Sequence, residues 1–311
     1  MSIPTPAQAY WHQRFALADC KERVLSLVDS VGHPTDLQPF QWAQLMTFAM
    51  EFKPDLILEL GRGRGNSTCA FTEVANQLKP LPCQVLSVCL SDGWEWLTLP
   101  KLNQLVPETW FEPLQVVKAN ILAFDYKLAL SDFERVLIFW DAHGYDIAEC
   151  VLGKILPEIA ERPHVVIMHD LSDTRYMPES RFQYNGHSIW KGNTWDGSRL
   201  IINPIHTAVE QAVAIIDFTN RNKLPLHSAS HNLHTKLGLD KVKLTELKES
   251  LGDSLFSLDA HWFWFSLNEI SGPYTFPRFC GPTPAKVSLK TRLKVAIKVL
   301  LNRYPAERFL H

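Results

Sequence analysis

The sequence predicts an α/β fold: a doubly wound, mostly parallel sheet with an antiparallel end, preceded by N-terminal helices and followed by a C-terminal helix. Three observations predict it. Between residues 55 and 168, short apolar runs of five to seven residues alternate with longer helical stretches, the pattern of strands buried on both faces. Before that, apolar residues recur at three- and four-residue steps through 15–28 and 40–52. Between the first strand and the next helix stand alternate glycines, Gly61, Gly63 and Gly65.

Taken in order, residues 15–28 and 40–52 form helices, with Asp36 placed to cap the second. Strands follow at 55–60, 84–90, 114–118, 135–140 and 164–168, with helices at 67–78, 95–105 and 147–160. Right-handed crossovers stack these strands into one sheet. Residues 171–203 are polar, aromatic and irregular; then come a helix at 205–220, a strand near 226–231, a charged helix at 241–251 and the apolar HWFWFSL at 261–267. The two late strands supply the antiparallel end. No internal repeat and no Gly- or Ser-rich linker divides the chain, so we expect one structural domain. It comprises an N-terminal helical extension (1–53), an α/β core (54–270) with a lid (171–203), and a basic amphipathic tail (271–311).

The bulk properties narrow the function. The 311 residues carry a formal net charge of −2, which does not suit a nucleic-acid partner. Six cysteines (Cys20, Cys69, Cys83, Cys89, Cys150, Cys280) show no C-x-x-C pairing, and several sit in apolar runs as reduced thiols do. The N-terminus shows no basic region followed by an apolar stretch, and no uninterrupted apolar run approaches the ~18 residues of a membrane span. A cytoplasmic protein is expected.

The chemistry concentrates at strand ends. In DLILELGRGRGNST (55–68) an apolar strand carries Glu59 near its end, then Gly61, Gly63 and Gly65, then a helix opening at Asn66 and Ser67. A chain that turns abruptly from strand to helix needs residues that tolerate positive φ, and the helix amides then face whatever polar group lies there. A dinucleotide site would satisfy part of this pattern. The spacing, however, is G-x-G-x-G, with Asn66 where the third glycine of G-x-G-x-x-G would stand, and an acid stands two residues before the first glycine.

This arrangement resembles motif I of class I S-adenosylmethionine-dependent methyltransferases, a Rossmann-like family, and the resemblance extends over approximately residues 55–267. It implies that Glu59, Gly61, Gly63, Gly65, Asn66 and Ser67 bind the methionine end of S-adenosylmethionine. The family's ribose-binding acid would fall at Cys89, and the nearest carboxylate is Asp92. Asn120 and Ile121 fall where the family contacts adenine, although Asn120 also suits a simple strand-to-loop cap. Strand four ends in Asp141 with His143 two residues on, and strand five ends in His169 and Asp170. This is similar to the metal-dependent O-methyltransferase and cephalosporin-hydroxylase-like branch, which implies Asp141, His169 and Asp170 as ligands of a divalent cation such as Mg²⁺. A histidine among them points to a mixed nitrogen and oxygen site, or to hydrogen bonding without metal.

The resemblance implies O-methylation of a small-molecule or saccharide-like acceptor, in secondary or cell-surface metabolism. His143, with an unperturbed pKa near ~6.5, is the candidate base, with Asp141 orienting the acceptor; a loop histidine bonded to backbone is the alternative. The lid offers Arg175, Tyr176, Tyr184, His187, Trp190, Trp195 and Arg199 to an acceptor, with packing of Trp190 and Trp195 onto the sheet as the alternative. Residues 286–304 place Leu289, Leu293, Ala296, Ile297 and Leu300 on one helical stripe and Lys290, Lys294 and Lys298 on another. Such a helix commonly packs across its own domain; the other readings are a homo-oligomer contact, which we favour, and peripheral membrane contact. A dinucleotide-dependent oxidoreductase and a non-catalytic cofactor-binding homologue remain as other readings.

Overall fold

The computed structural model describes residues 3–169 and 204–279. The expected lid, Asp170 and the helix at 286–304 lie outside the described residues.

The N-terminal extension builds four helices rather than two: α1 (Pro6–His12), α2 (Arg14–Asp19), α3 (Lys21–Val31) and α4 (Pro39–Phe52). Gln38, not Asp36, caps α4, in a reciprocal pairing with Gln41 and with Pro39 pre-setting the first turn. Asp36 instead accepts a hydrogen bond from the Asn66 side chain (2.8 Å), which draws the α3–α4 loop onto the glycine turn.

Seven strands form one sheet in the order β3-β2-β1-β4-β5-β7-β6. They are β1 (Leu56–Leu60), β2 (Gln84–Cys89), β3 (Leu114–Lys118), β4 (Val136–Trp140), β5 (His164–His169), β6 (His227–Ser228) and β7 (Trp262–Phe265). The first five pair in parallel, and β7 runs antiparallel to both β5 and β6, as the sequence pattern predicts. The chain reverses its strand order beside β1, where β2 and β4 flank it. Open α/β sheets bind ligands at the carboxyl end of such a switch point.

Strand periodicity divides the core in two. Ile57, Leu137, Phe139, Val165 and Ile167 face the N-terminal helices and α5 (Asn66–Gln77), packing among Trp42, Phe48 and Phe71. Leu56, Leu58, Leu60, Ile138, Trp140 and Met168 face the opposite layer. That layer comprises a continuous helical stretch, α8 (Tyr145–Cys150), a π-helical turn (Val151–Ile155) and α9 (Leu156–Ile159), with α10 (Pro204–Arg221) beside it. Phe48 meets Trp262 edge-on at 5.4 Å, which fixes β7 against α4.

Two expected elements differ. The helix at 95–105 opens as a π-helical turn (Trp94–Thr98) before α6 (Leu99–Leu105), with Pro100 near the junction, and a short α7 (Tyr126–Ala129) follows β3. The late strand near 226–231 shrinks to the two residues of β6. Ser228 there accepts from the His231 amide (3.3 Å) and starts α11 (Ala229–Lys236), so a cap ends the strand. Residues 271–279, which the sequence places in the tail, pack on the core instead. Asn222 exchanges two hydrogen bonds with Thr275 (2.6 and 3.0 Å), and the Tyr274 hydroxyl donates to the Leu267 carbonyl (2.7 Å).

Candidate functional site

The three glycines do three different things. Gly61 has φ +96°, and a Cβ built on it would sit 2.3 Å from the Asp141 carbonyl oxygen. Its lack of a side chain lets β1 and β4 end side by side, with the Asp141 amide donating to Leu60 (2.9 Å). Gly65, also at φ +96°, leaves room for the buried Trp94 ring, whose Cε3 would lie 2.3 Å from a Cβ. Gly63, at φ +53°, would meet nothing within 4 Å. Of the three, Gly63 alone faces open space.

Gly63 also lines a cavity of about 380 Å³ at the carboxyl ends of β1, β2, β3 and β4. The β1–α5 turn contributes Gly61, Arg62 and Gly63; the end of β2 gives Cys89 and Leu90. Ala119, Asn120 and Ile121 follow β3, while Asp141, Ala142 and His143 follow β4, and α8 adds Ile147. Asp36 completes the wall from the α3–α4 loop. The stretch after β4 is held firmly: the Trp140 indole donates to the Ala142 carbonyl (2.7 Å), and the Gly144 amide donates to the Gln211 side chain of α10 (3.2 Å).

Glu59 does not reach this cavity. It is wholly buried on the α5 side of the sheet, where its carboxylate accepts hydrogen bonds from the hydroxyls of Ser67, Thr68 (2.6 Å) and Ser87. Burial pushes its pKa up, and those hydroxyls together with the Arg62 charge pull against the rise. Ser67 is spent on Glu59, and Asn66 on Asp36 and the His33 carbonyl (3.0 Å). The carboxylate expected at the cofactor thus ties β1, β2 and the first turn of α5 together. Arg62 is committed through its two terminal nitrogens, while its buried Nε has no hydrogen-bond partner among the described residues. Its side chain is fully buried and donates to the Ser87 carbonyl and hydroxyl (both 3.1 Å) and to Glu95 (3.2 Å).

Asp92, expected to replace the ribose-binding acid, pairs with Lys118 and is not among the cavity-lining residues. Cys89 does line the cavity, and its sulfur accepts from the Ser91 amide (3.3 Å). Asn120 and Ile121 both line it, and Asn120 also makes the cap expected of it, accepting from the Leu122 amide (2.9 Å).

At the other end, Asp141 lines the cavity with Oδ1 3.1 Å from Nδ1 of His169, which is buried and stacks on Phe139. His143 is exposed at the wall. Asp141 and His169 stand as a hydrogen-bonded pair; among the described residues no group of three His, Cys, Asp or Glu side chains is placed to hold a metal ion. The third expected ligand, Asp170, is outside the described residues.

The structure therefore brings Gly61, Gly63, Asn120, Ile121, Asp141 and His143 to one cavity, and leaves Glu59, Gly65, Asn66, Ser67, Asp92 and His169 behind or beside its wall. Asp36, Arg62 and Leu90 are lining residues that sequence reasoning did not assign to the site.

No family model and no curated protein matches the chain. Among solved structures, similar folds include a Podospora anserina methyltransferase with bound SAH, 14% identical over 65% of this chain and 82% of that one, with a TM-score of 0.44. An O-methyltransferase from Bacillus cereus in complex with SAH is 15% identical over 67% and 83% of the two chains, TM-score 0.40. An O-methyltransferase from Streptomyces achromogenes in complex with SAM is 15% identical over 65% and 80%, TM-score 0.39. Likenesses this distant carry no weight for function, which rests on the cavity. No helix among the described residues is long and apolar enough to cross a membrane.

Proposed function

We propose that the chain is an S-adenosylmethionine-dependent methyltransferase, O-directed, acting on a small-molecule or saccharide-like acceptor. The observation that carries this reading is the charge of the cavity. Two carboxylates, Asp36 and Asp141, line it, and the guanidinium of its one lining arginine is turned to Ser87 and Glu95. Like charges close together in a partly desolvated site repel strongly. A dinucleotide pyrophosphate would meet those carboxylates without a matching guanidinium, whereas a sulfonium and an ammonium are attracted by them. The volume lies in the ~300–1,000 Å³ range of small-ligand sites, and the open space at Gly63 lets backbone approach a ligand closely.

The donor supplies an electrophilic methyl group. The chain's own residues must align an acceptor hydroxyl with it and remove the proton. His143, exposed at the wall two residues from Asp141, takes that proton, and Asp141, braced from behind by His169, orients the hydroxyl. The cation that the resemblance implies at Asp141, His169 and Asp170 belongs to this reading as a further expectation. Thermal unfolding with separate ligands tests the central assignment, since a ligand raises stability only where it binds the folded state. S-adenosylmethionine and S-adenosylhomocysteine at about a hundred times Kd stabilise the chain by about 2.7 kcal/mol, and NAD leaves the midpoint unmoved. A shift with NAD and none with the sulfur compounds reverses the assignment.

A further inference from the structure

With Glu59 sealed behind the sheet, the positive charge on a donor's amino-acid end needs another carboxylate. Asp36 is placed to be it. The residue comes from the α3–α4 loop of the N-terminal extension, thirty positions before Asn66, whose side chain holds one oxygen, Oδ2, at 2.8 Å. Asn66 is itself fixed by a second bond to the His33 carbonyl (3.0 Å) and is buried. Asp36 is half-buried and lines the cavity together with Gly61, Gly63 and Asp141, and among the described residues its side chain accepts from Asn66 through Oδ2 and shows no bond at Oδ1. A carboxylate with one oxygen anchored and the other unspent is a preorganised acceptor for a charged N–H donor.

The lining at the carboxyl ends of β2 and β3 suits a different group. Cys89, Leu90, Ala119 and Ile121 give it apolar surface beside the Asn120 side chain, fit for a flat ring, and leave the carboxylates for the charged part of the ligand. We propose that Asp36 binds the α-ammonium group of the donor's methionine moiety, so that the N-terminal helical extension forms part of the donor site. This rests on the methyltransferase reading.

The test is calorimetry on the full chain with S-adenosylhomocysteine, with its analogue lacking the α-amino group, and with 5′-methylthioadenosine, which lacks the whole amino-acid end. In Asp36→Asn the new side-chain oxygen can still accept from Asn66, so the loop keeps its anchor. A hydrogen bond to a charged group corresponds to roughly a ten- to hundredfold change in affinity. Asp36→Asn should weaken S-adenosylhomocysteine by that factor and leave methylthioadenosine unchanged, while the deaminated analogue should bind the unaltered chain as weakly as S-adenosylhomocysteine binds the variant. The analogue comparison needs no variant, so equal binding of the two compounds overturns the proposal even if Asp36→Asn folds poorly, while the variant separates Asp36 from Asp141 as the partner. Equal binding of S-adenosylhomocysteine and its deaminated analogue to the unaltered chain, or equal loss of all three ligands in the variant, overturns the role of Asp36 alone. Failure of the unaltered chain to bind S-adenosylhomocysteine removes the methyltransferase reading, and this proposal with it.

Discussion

Replacing each turn glycine by alanine separates packing from ligand binding. At Gly63 the backbone already sits at φ +53°, inside the left-handed region, and the new Cβ meets no protein atom within 4 Å. The cost to the fold is then the conformational term alone, about 1–2 kcal/mol. Gly61 and Gly65 also have positive φ, +96°, and there each Cβ would in addition approach to 2.3 Å, against the Asp141 carbonyl or the Trp94 ring. Strain and overpacking add there to roughly 3 kcal/mol or more. The Gly63 methyl instead enters the cavity, where a clash of about 1–3 kcal/mol weakens a ligand roughly ten- to hundredfold. Urea unfolding gives the first quantity, and calorimetry with S-adenosylhomocysteine the second. The expected pattern is a well-folded Gly63→Ala that binds poorly, beside Gly61→Ala and Gly65→Ala that fold poorly. A Gly63→Ala chain that binds as tightly as the original, or is as unstable as the other two, refutes this division of roles.

Three further outcomes follow from the same geometry. His164 is buried, its Nε2 accepts from the Leu267 amide (3.2 Å), and burial lowers its pKa from 6.5 to about 4. Below pH 6.5 the unfolded chain takes up a proton that the folded chain refuses until pH is near 4. Stability therefore falls with acidification across that window, by about 3 kcal/mol at 1.36 kcal/mol per pH unit. Urea midpoints should show this slope, and a His164→Asn chain lacks that component; an identical slope in both chains contradicts it. Glu59→Ala strands three buried hydroxyls and should lower stability by about 3 kcal/mol or more in urea; unchanged stability with lost ligand affinity would mean that Glu59 serves the ligand after all. His143→Ala should reduce methyl transfer about a hundredfold or more with donor affinity kept, and equal losses in both argue against its role as base.

Much of the fold is legible because its signals are local. Buried parallel strands show as continuous apolar runs, and strand ends mark the ligand edge. The direction of Glu59 was also legible, though the motif obscured it. Strand alternation puts Leu56, Leu58 and Leu60 on one face and Ile57 and Glu59 on the other, towards Ser67 and Thr68. Asp36 was not legible, because its contact with Asn66 spans thirty positions and replaces a plausible local capping role. Gly65 likewise serves Trp94, a residue that no spacing rule links to the turn. The strand expected near 226–231 is present but short, because Ser228 is as good a helix cap as a strand residue.

The most direct measurement is a crystal structure of the chain grown with S-adenosylhomocysteine. The account predicts density running from Gly63 to Ile121, with the adenine ring beside Leu90 and the amino group within hydrogen-bond distance of Asp36. An empty cavity with the nucleoside bound elsewhere, or a ligand whose amino-acid end points away from Asp36 and Asp141, would contradict it.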